Sequence, residues 1–520
     1  MKADLLFYNG EIHTIDETSN IFYWMRVRNG RILELGTESS LLNETMSDVE
    51  KIDLNGQSVY PGFFDSHVHL VQTALNMLAL DLSNCNSIEH IKSCIKAHIA
   101  NNDTDENTII YGYGLDETKL IEMKLPDRKD LDTCSKTLPI WINRVEYHTS
   151  VVNSKALHMC CIPYTLKGIE RVGSGLPTGR FTSEASAWIR NFMHNRITDA
   201  TREKGVYKAI DTFIKKGVTS VDCMEGGYMF HDADAEYILK NHKRFPIDLY
   251  LYYQTLDVLK VKNHGLKRIG GCIFIDGSFG SRTAAISEPY LDNPSTNGIV
   301  FFDQETINEF VEQAQKNEMQ VAVHAIGDRA IELVLNAYER AQNLYPSIKI
   351  NHRIEHFELP TDNQIKRAKA LNVIISVQPA YEYKWGMENG MYSKRLGVIT
   401  KSKTNPFRKY IDEGLLIIGG SDCDVTPCDP LLGIHAAVNH PNVEFSITVE
   451  EALKLFTVNA AKAVGDFKNK GSLEIGKLAD FVVLDQNLLK LNPQKIRLVN
   501  VLATYKEGIA LFSREGEAFE

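Results

Sequence analysis

Between about residues 59 and 465, short apolar runs alternate with stretches of helical period, and this alternation limits the fold more than any other feature of the chain. Strand-like runs fall at 217–223, 272–275, 320–324, 349–354, 373–378 and 415–420, and helical patterns at 305–317, 328–344, 361–371 and 449–464. Strands that alternate with helices pair in parallel, because each helix carries the chain back across the sheet. At this length the most economical closed form is a (β/α)8 barrel of the TIM type. A barrel needs only about 250 residues. The surplus lies mainly at about 80–200, which is expected to be an insertion over the barrel mouth.

The two ends read differently. Residues 1–58 alternate apolar and polar positions, with turn signals at Asn9-Gly10, Asn29-Gly30 and Asn55-Gly56. Residues 466–520 hold a turn and polar loop, an apolar run from Phe481 to Leu484, and strand-like sequence over 499–512 with a turn near Glu507-Gly508. Neither end is large enough to bury a core alone, so residues 1–58 and 466–520 are expected to form one small β-sandwich domain built from both termini. Residues 59–465 are left as the barrel domain.

Charge and composition exclude several functions. A net charge of −10 without a basic stripe gives no nucleic-acid footprint. No run reaches the roughly 18 apolar residues of a membrane helix, and the first residues lack the architecture of a signal peptide. Nine cysteines without zinc-ribbon spacing fit reduced thiols and a cytoplasmic location. The expected partner is a small-molecule substrate, with a homodimer as the default assembly.

Pro61-Gly62-Phe63-Phe64-Asp65-Ser66-His67-Val68-His69 places two imidazoles two residues apart in an apolar run. On a strand both point to one face and can chelate a cation. Further ligand types follow in chain order: Cys272 or Asp276, His324, His356 and Asp422, each in or just after a strand-like run. The C-terminal ends of barrel strands are where such sites assemble. His352 shares a strand face with His356, but only the later residue is expected to reach the mouth.

These segments, together with Asn153-Ser154-Lys155-Ala156-Leu157, Pro177-Thr178-Gly179, Asp276-Gly277-Ser278-Phe279-Gly280-Ser281-Arg282-Thr283-Ala284-Ala285 and Gly420-Ser421-Asp422, resemble the amidohydrolase superfamily. Within it they resemble amidohydrolase family 3, the YtcJ-like branch that includes N-substituted formamide deformylases. The resemblance implies the barrel with its composite β-sandwich, and one or two divalent metals per chain, usually zinc. It implies hydrolysis of an amide-type C–N bond, other than a peptide bond, in a small molecule through a metal-activated water. His67 and His69 would hold a first metal with Asp422, and His324 and His356 a second. Asp422 would be the general base, and His148 either a second catalytic group polarising the carbonyl or a structural histidine. Asp276, Arg282, Gln378 and Tyr381 are candidates for binding substrate, with a salt bridge to Asp276 as the other reading of Arg282. Two departures stand out. Cys272 occupies a position where many relatives have a lysine, and is either a thiolate ligand or a buried structural thiol. Tyr381 stands where many have histidine, and is either a donor toward the substrate oxygen or a pocket wall. Two rival functions remain: a single-metal deaminase of a heterocyclic amidine, and a small-molecule binding protein impaired in catalysis.

Overall fold

The computed structural model describes residues 4–37, 49–102, 104, 108–144, 149–227 and 230–514. Eight parallel strands lie in sequence order in one sheet: β1 Phe63–Val68, β2 Val218–Glu225, β3 Asp248–Tyr253, β4 Arg268–Phe274, β5 Gln320–Ala325, β6 Arg353–His356, β7 Ile374–Val377 and β8 Leu416–Gly419. Backbone bonds just past β8 close the barrel: Asp422 N–H donates to His67 O (2.8 Å) and His69 N–H to Cys423 O (2.8 Å). The expected (β/α)8 barrel is therefore present, and it closes at the C-terminal ends of its strands.

Two element boundaries moved for identifiable reasons. The strand expected at 349–354 begins only at Arg353. The residue before it, His352, uses its ring Nδ1 to accept the Val321 N–H (3.1 Å). The helix expected at 449–464 is two helices, Val449–Leu455 and Val458–Ala463. Thr457 leaves the helical region (φ −142°, ψ −100°), and the Phe456 carbonyl at the break accepts the Phe64 N–H of β1 (2.7 Å).

Both chain ends enter one eight-stranded sheet. Its order is Ile509–Ser513, Val501–Lys506, Phe481–Leu484, Ser58–Pro61, Leu5–His13, Ile21–Arg28 and Arg31–Gly36, with Glu50–Asp53 also paired to Leu5–His13. The sheet curls, so one apolar cluster joins Met25, Val27 and Ile32 to Leu502, Ala503 and Tyr505. Phe7 sits in that core with its ring centroid 4.9 Å from Phe481 and 5.2 Å from Tyr505. Asn29-Gly30 and Glu507-Gly508 make the expected hairpin turns, with all four residues at positive φ. Asn9-Gly10 does not. The strand runs through it, and Asn9 (φ 56°) forms a bulge that shifts the register between Tyr8 and Ile12.

The chain divides into two compact units. Met1–Leu70, Ile210–Met229 and Ile238–Glu520 form the first, which holds the barrel and the terminal sheet. Val71–Ala209 with Phe230–Tyr237 form the second, where most of the surplus sequence lies. It has its own six-stranded sheet, from Leu80–Asp81 at one edge to Ile169–Arg171 at the other. One of its cores packs Trp141 with Phe181, Ile189 and Met193. Among the described residues, no helix is long and apolar enough to cross a membrane.

Candidate metal centre

Five barrel strands deliver the ligand-type residues foreseen in the sequence. His67 is the fifth residue of β1 and His69 lies just beyond its end. Cys272 is in β4, His324 is the penultimate residue of β5, and His356 ends β6. Asp422 follows β8 by three residues. Their ligand atoms fall into three overlapping groups, each with all atoms within 4.8 Å of one another: His67, His69 and Cys272; Cys272, His324 and His356; His67, His356 and Asp422. All six residues are at most 5% exposed. His356 (φ 73°) and Asp422 (φ 52°) both hold left-handed backbone conformations, which a non-glycine residue adopts at a cost and which cluster at functional sites.

Each imidazole is pinned from outside. His67 Nδ1 lies 2.6 Å from Glu355 Oε2. His69 Nδ1 lies 3.1 Å from Met224 O, His356 Nδ1 2.7 Å from Gln378 Oε1, and His324 Nε2 3.1 Å from Gly277 O. All four partners are acceptors, so the outer ring nitrogen of every histidine carries the proton. In the neutral rings the inner nitrogens are then lone pairs. Those of His67 and His69 lie 3.4 and 3.2 Å from Asp422 Oδ1. Those of His324 and His356 are each 3.8 Å from Cys272 Sγ. His67 Nε2 and Asp422 Oδ1 are buried without a hydrogen-bond partner. Lone pairs converging on one another in a buried site require a cation or a proton between them, so this donor set fits a metal.

The electrostatics agree. Burial alone would lower His69, but the Asp422 carboxylate raises it to about 9, so a proton stands where a cation would. Burial lowers His356 to about 4 and holds His324 well below the histidine range, which keeps both neutral and able to ligate. Asp422 is buried, yet His67, His69 and His356 hold it far below the carboxylate range. Burial keeps the Cys272 thiol well above the usual range.

Other expected residues have different surroundings. Gln378 orients His356, and its side-chain oxygen is taken up by that contact. Tyr381 is more than a pocket wall: its hydroxyl donates to Asp422 Oδ2. Asp276 is fully buried, with its oxygens accepting the N–H groups of Ala285, Ile326 and Gly327. It therefore braces two loops, and its Oδ1 also lies 3.5 Å from Nε2 of His324. Arg282 does form an internal salt bridge, but to Asp292 (2.9 and 2.8 Å), with no contact to Asp276. His148 lies outside the described residues.

Sequence reasoning missed Glu355 and Asp65. Burial would raise Glu355, but Arg353 and His67 lower it to about 2, so it accepts from His67 as a carboxylate. Arg353 in turn reaches Asp222 Oδ2 (2.5 Å). Asp65 Oδ1 accepts the N–H of His67 (3.2 Å) and of Ser421 (2.8 Å), tying the end of β1 to the loop after β8. A charged pair in Arg353-Ile354-Glu355, inside an otherwise apolar strand, was the available signal.

The chain belongs to the amidohydrolase family, which it matches over residues 50–512. It is 29% identical to the protein named YtcJ in Bacillus subtilis (strain 168), over 99% of this chain and all of that protein. It is 25% identical to the N-substituted formamide deformylase of Arthrobacter pascens, over 99% of each. The crystal structure of an uncharacterized metal-dependent hydrolase from Pyrococcus furiosus superposes with a TM-score of 0.80 at 29% identity, covering 94% of this chain and all of that one.

Proposed function

We propose that this chain is a metal-dependent hydrolase that cleaves an amide-type C–N bond in a small molecule. The observation that carries the reading is the orientation of the four histidines, each with its outer N–H spent and its inner nitrogen turned toward Asp422 or Cys272. His67, His69 and Asp422 would hold one divalent cation. Cys272, His324 and His356 offer a second position, whose imidazole and thiolate donors suit zinc. A bound cation supplies a water of lowered pKa and polarises a carbonyl. Asp422, a carboxylate beside that water, would accept its proton and pass it to the leaving nitrogen. Tyr381 fixes Oδ2 of that carboxylate and so sets the direction of Oδ1. The relatives named for formamide hydrolysis and metal dependence support the same reaction class.

The test is metal content and turnover on a panel of N-substituted amides. The wild type should carry one or two zinc ions in the barrel centre. Asp422→Asn should lose at least about 10²-fold in turnover, the lower end of a general base's contribution. Wild-type turnover in that variant would remove Asp422 as the base. Turnover confined to amidines, with ammonia released, would make the chain a deaminase.

A further inference from the structure

The second unit carries a cluster of donors that the barrel reaction does not use. We propose that Cys85, His90 and Cys94 form a separate binding site for a soft divalent cation such as zinc. One donor atom from each lies within 4.8 Å of the other two.

The local sequence builds this cluster. His90 and Cys94 are four residues apart on the helix Ile88–Asn101, so they share one face. Cys85 precedes that helix in a turn closed by its N–H on Leu82 O (3.0 Å). Ser87 caps the helix by accepting the His90 N–H (3.1 Å), which fixes the backbone that carries the imidazole. Asn86 Oδ1 lies 3.3 Å from His90 Nδ1 and steadies the ring.

The spacing is that of metal ligands. Cys85 Sγ and Cys94 Sγ are 4.0 Å apart. Two thiolates bound at about 2.3 Å to one tetrahedral zinc lie roughly 3.8 Å apart, from the bond length and the tetrahedral angle. A disulfide would need about 2.05 Å. Cys85 is buried, Cys94 half-buried and His90 exposed, so a cation would enter from the imidazole side and keep a solvent ligand in the fourth position. Burial and the neighbouring Cys94 push the Cys85 thiol up to about 12, so binding would release protons. The bound ion would staple the turn at Cys85 to the helix.

The experiment uses the full chain carrying Cys272→Ala, which removes the thiol of the barrel's metal centre, reduced and stripped with chelator. Cadmium is titrated while the thiolate-to-cadmium charge-transfer absorption is followed. The band should saturate at one cadmium per chain and vanish when Cys94→Ser is added. His90→Ala should weaken binding at least about tenfold, since even an outer-shell partner costs that much. His90 is exposed, so this variant keeps its core packing and tests the site even if Cys94→Ser folds poorly. A band unchanged by both substitutions, or no band in the Cys272→Ala protein, would overturn the proposal. So would a Cys85–Cys94 disulfide in protein purified without reductant that binds no cadmium after reduction.

Discussion

Glu355 fixes the tautomer of His67, and with it the direction of a metal-facing lone pair. The residue also neutralises Arg353, which is itself fully buried between Asp222 and Glu355. Glu355→Gln should therefore do two things at once. It should weaken metal binding about 10- to 100-fold, the usual effect of losing an outer-shell partner, as read by chelator competition. It should also lower stability to denaturant by about 3–5 kcal/mol, because a buried charge loses one of its partners. Loss of stability with unchanged metal affinity would make Glu355 a partner of Arg353 alone. Tyr381 acts on the carboxylate of the site. Its hydroxyl stabilises the ionised form of Asp422, so Tyr381→Phe should raise the pKa of that carboxylate. A base must be deprotonated to work, so the acid limb of the pH–rate profile should move to higher pH while metal content stays constant. An unmoved limb would confine Tyr381 to the pocket wall.

At the scale of elements, the centre depends on how β1 meets the segment after β8. That seam has few atoms to spare. A Cβ added at Gly420 would lie 2.7 Å from both Cβ and N of His67, so only glycine lets the two backbones approach this closely. Asp65 and the two backbone bonds at His67 and His69 lock the same seam. Gly420→Ala should consequently push His67 from its place and cost metal and turnover together, although neither residue side chain that ligates has changed. Elemental analysis beside a thermal melt would separate this from global unfolding. A folded, fully metallated Gly420→Ala protein would show that the seam has more slack than the geometry gives it. The helix break at Phe456–Thr457 serves the same strand from outside, since its freed carbonyl holds the Phe64 N–H.

Across the first unit, a charge cluster, buried except at Asp248, joins the terminal sheet to the barrel. Lys470 pairs with Asp248 of β3 and lies 3.5 Å from Asp480, while Lys506 reaches both Asp480 and Asp248 at 2.8 Å. Burial lowers Lys470 to about 8 even with Asp480 beside it, while the Asp248 side chain stays 39% exposed. Asp480→Asn leaves two ammonium groups to share one carboxylate, and should destabilise the protein by about 3–5 kcal/mol in denaturant titration. A change below about 1 kcal/mol, the level of an exposed pair, would mean that solvent screens the cluster.

Period and spacing in the chain were enough to specify a great deal. The strand–helix alternation gave the barrel, because a parallel sheet admits few other closures. His67 and His69 declared themselves through the two-residue period of a strand, and Asp328–Leu344 was read to both its ends. Positions that depend on what faces them across the fold were not legible. Asn9-Gly10 has turn chemistry, yet pairing on both sides keeps the strand going. Gln378 and Asp276 are polar residues beside a site, and only packing shows that each is already occupied by a neighbour. Glu355 is 288 residues from His67 along the chain, and Asp65 is 356 from Ser421. The sequence determined which ligands exist and which strands carry them. The tertiary structure alone decided which nitrogen of each imidazole faces the centre, because a tautomer is set by a hydrogen-bond partner and the partners come from distant strands.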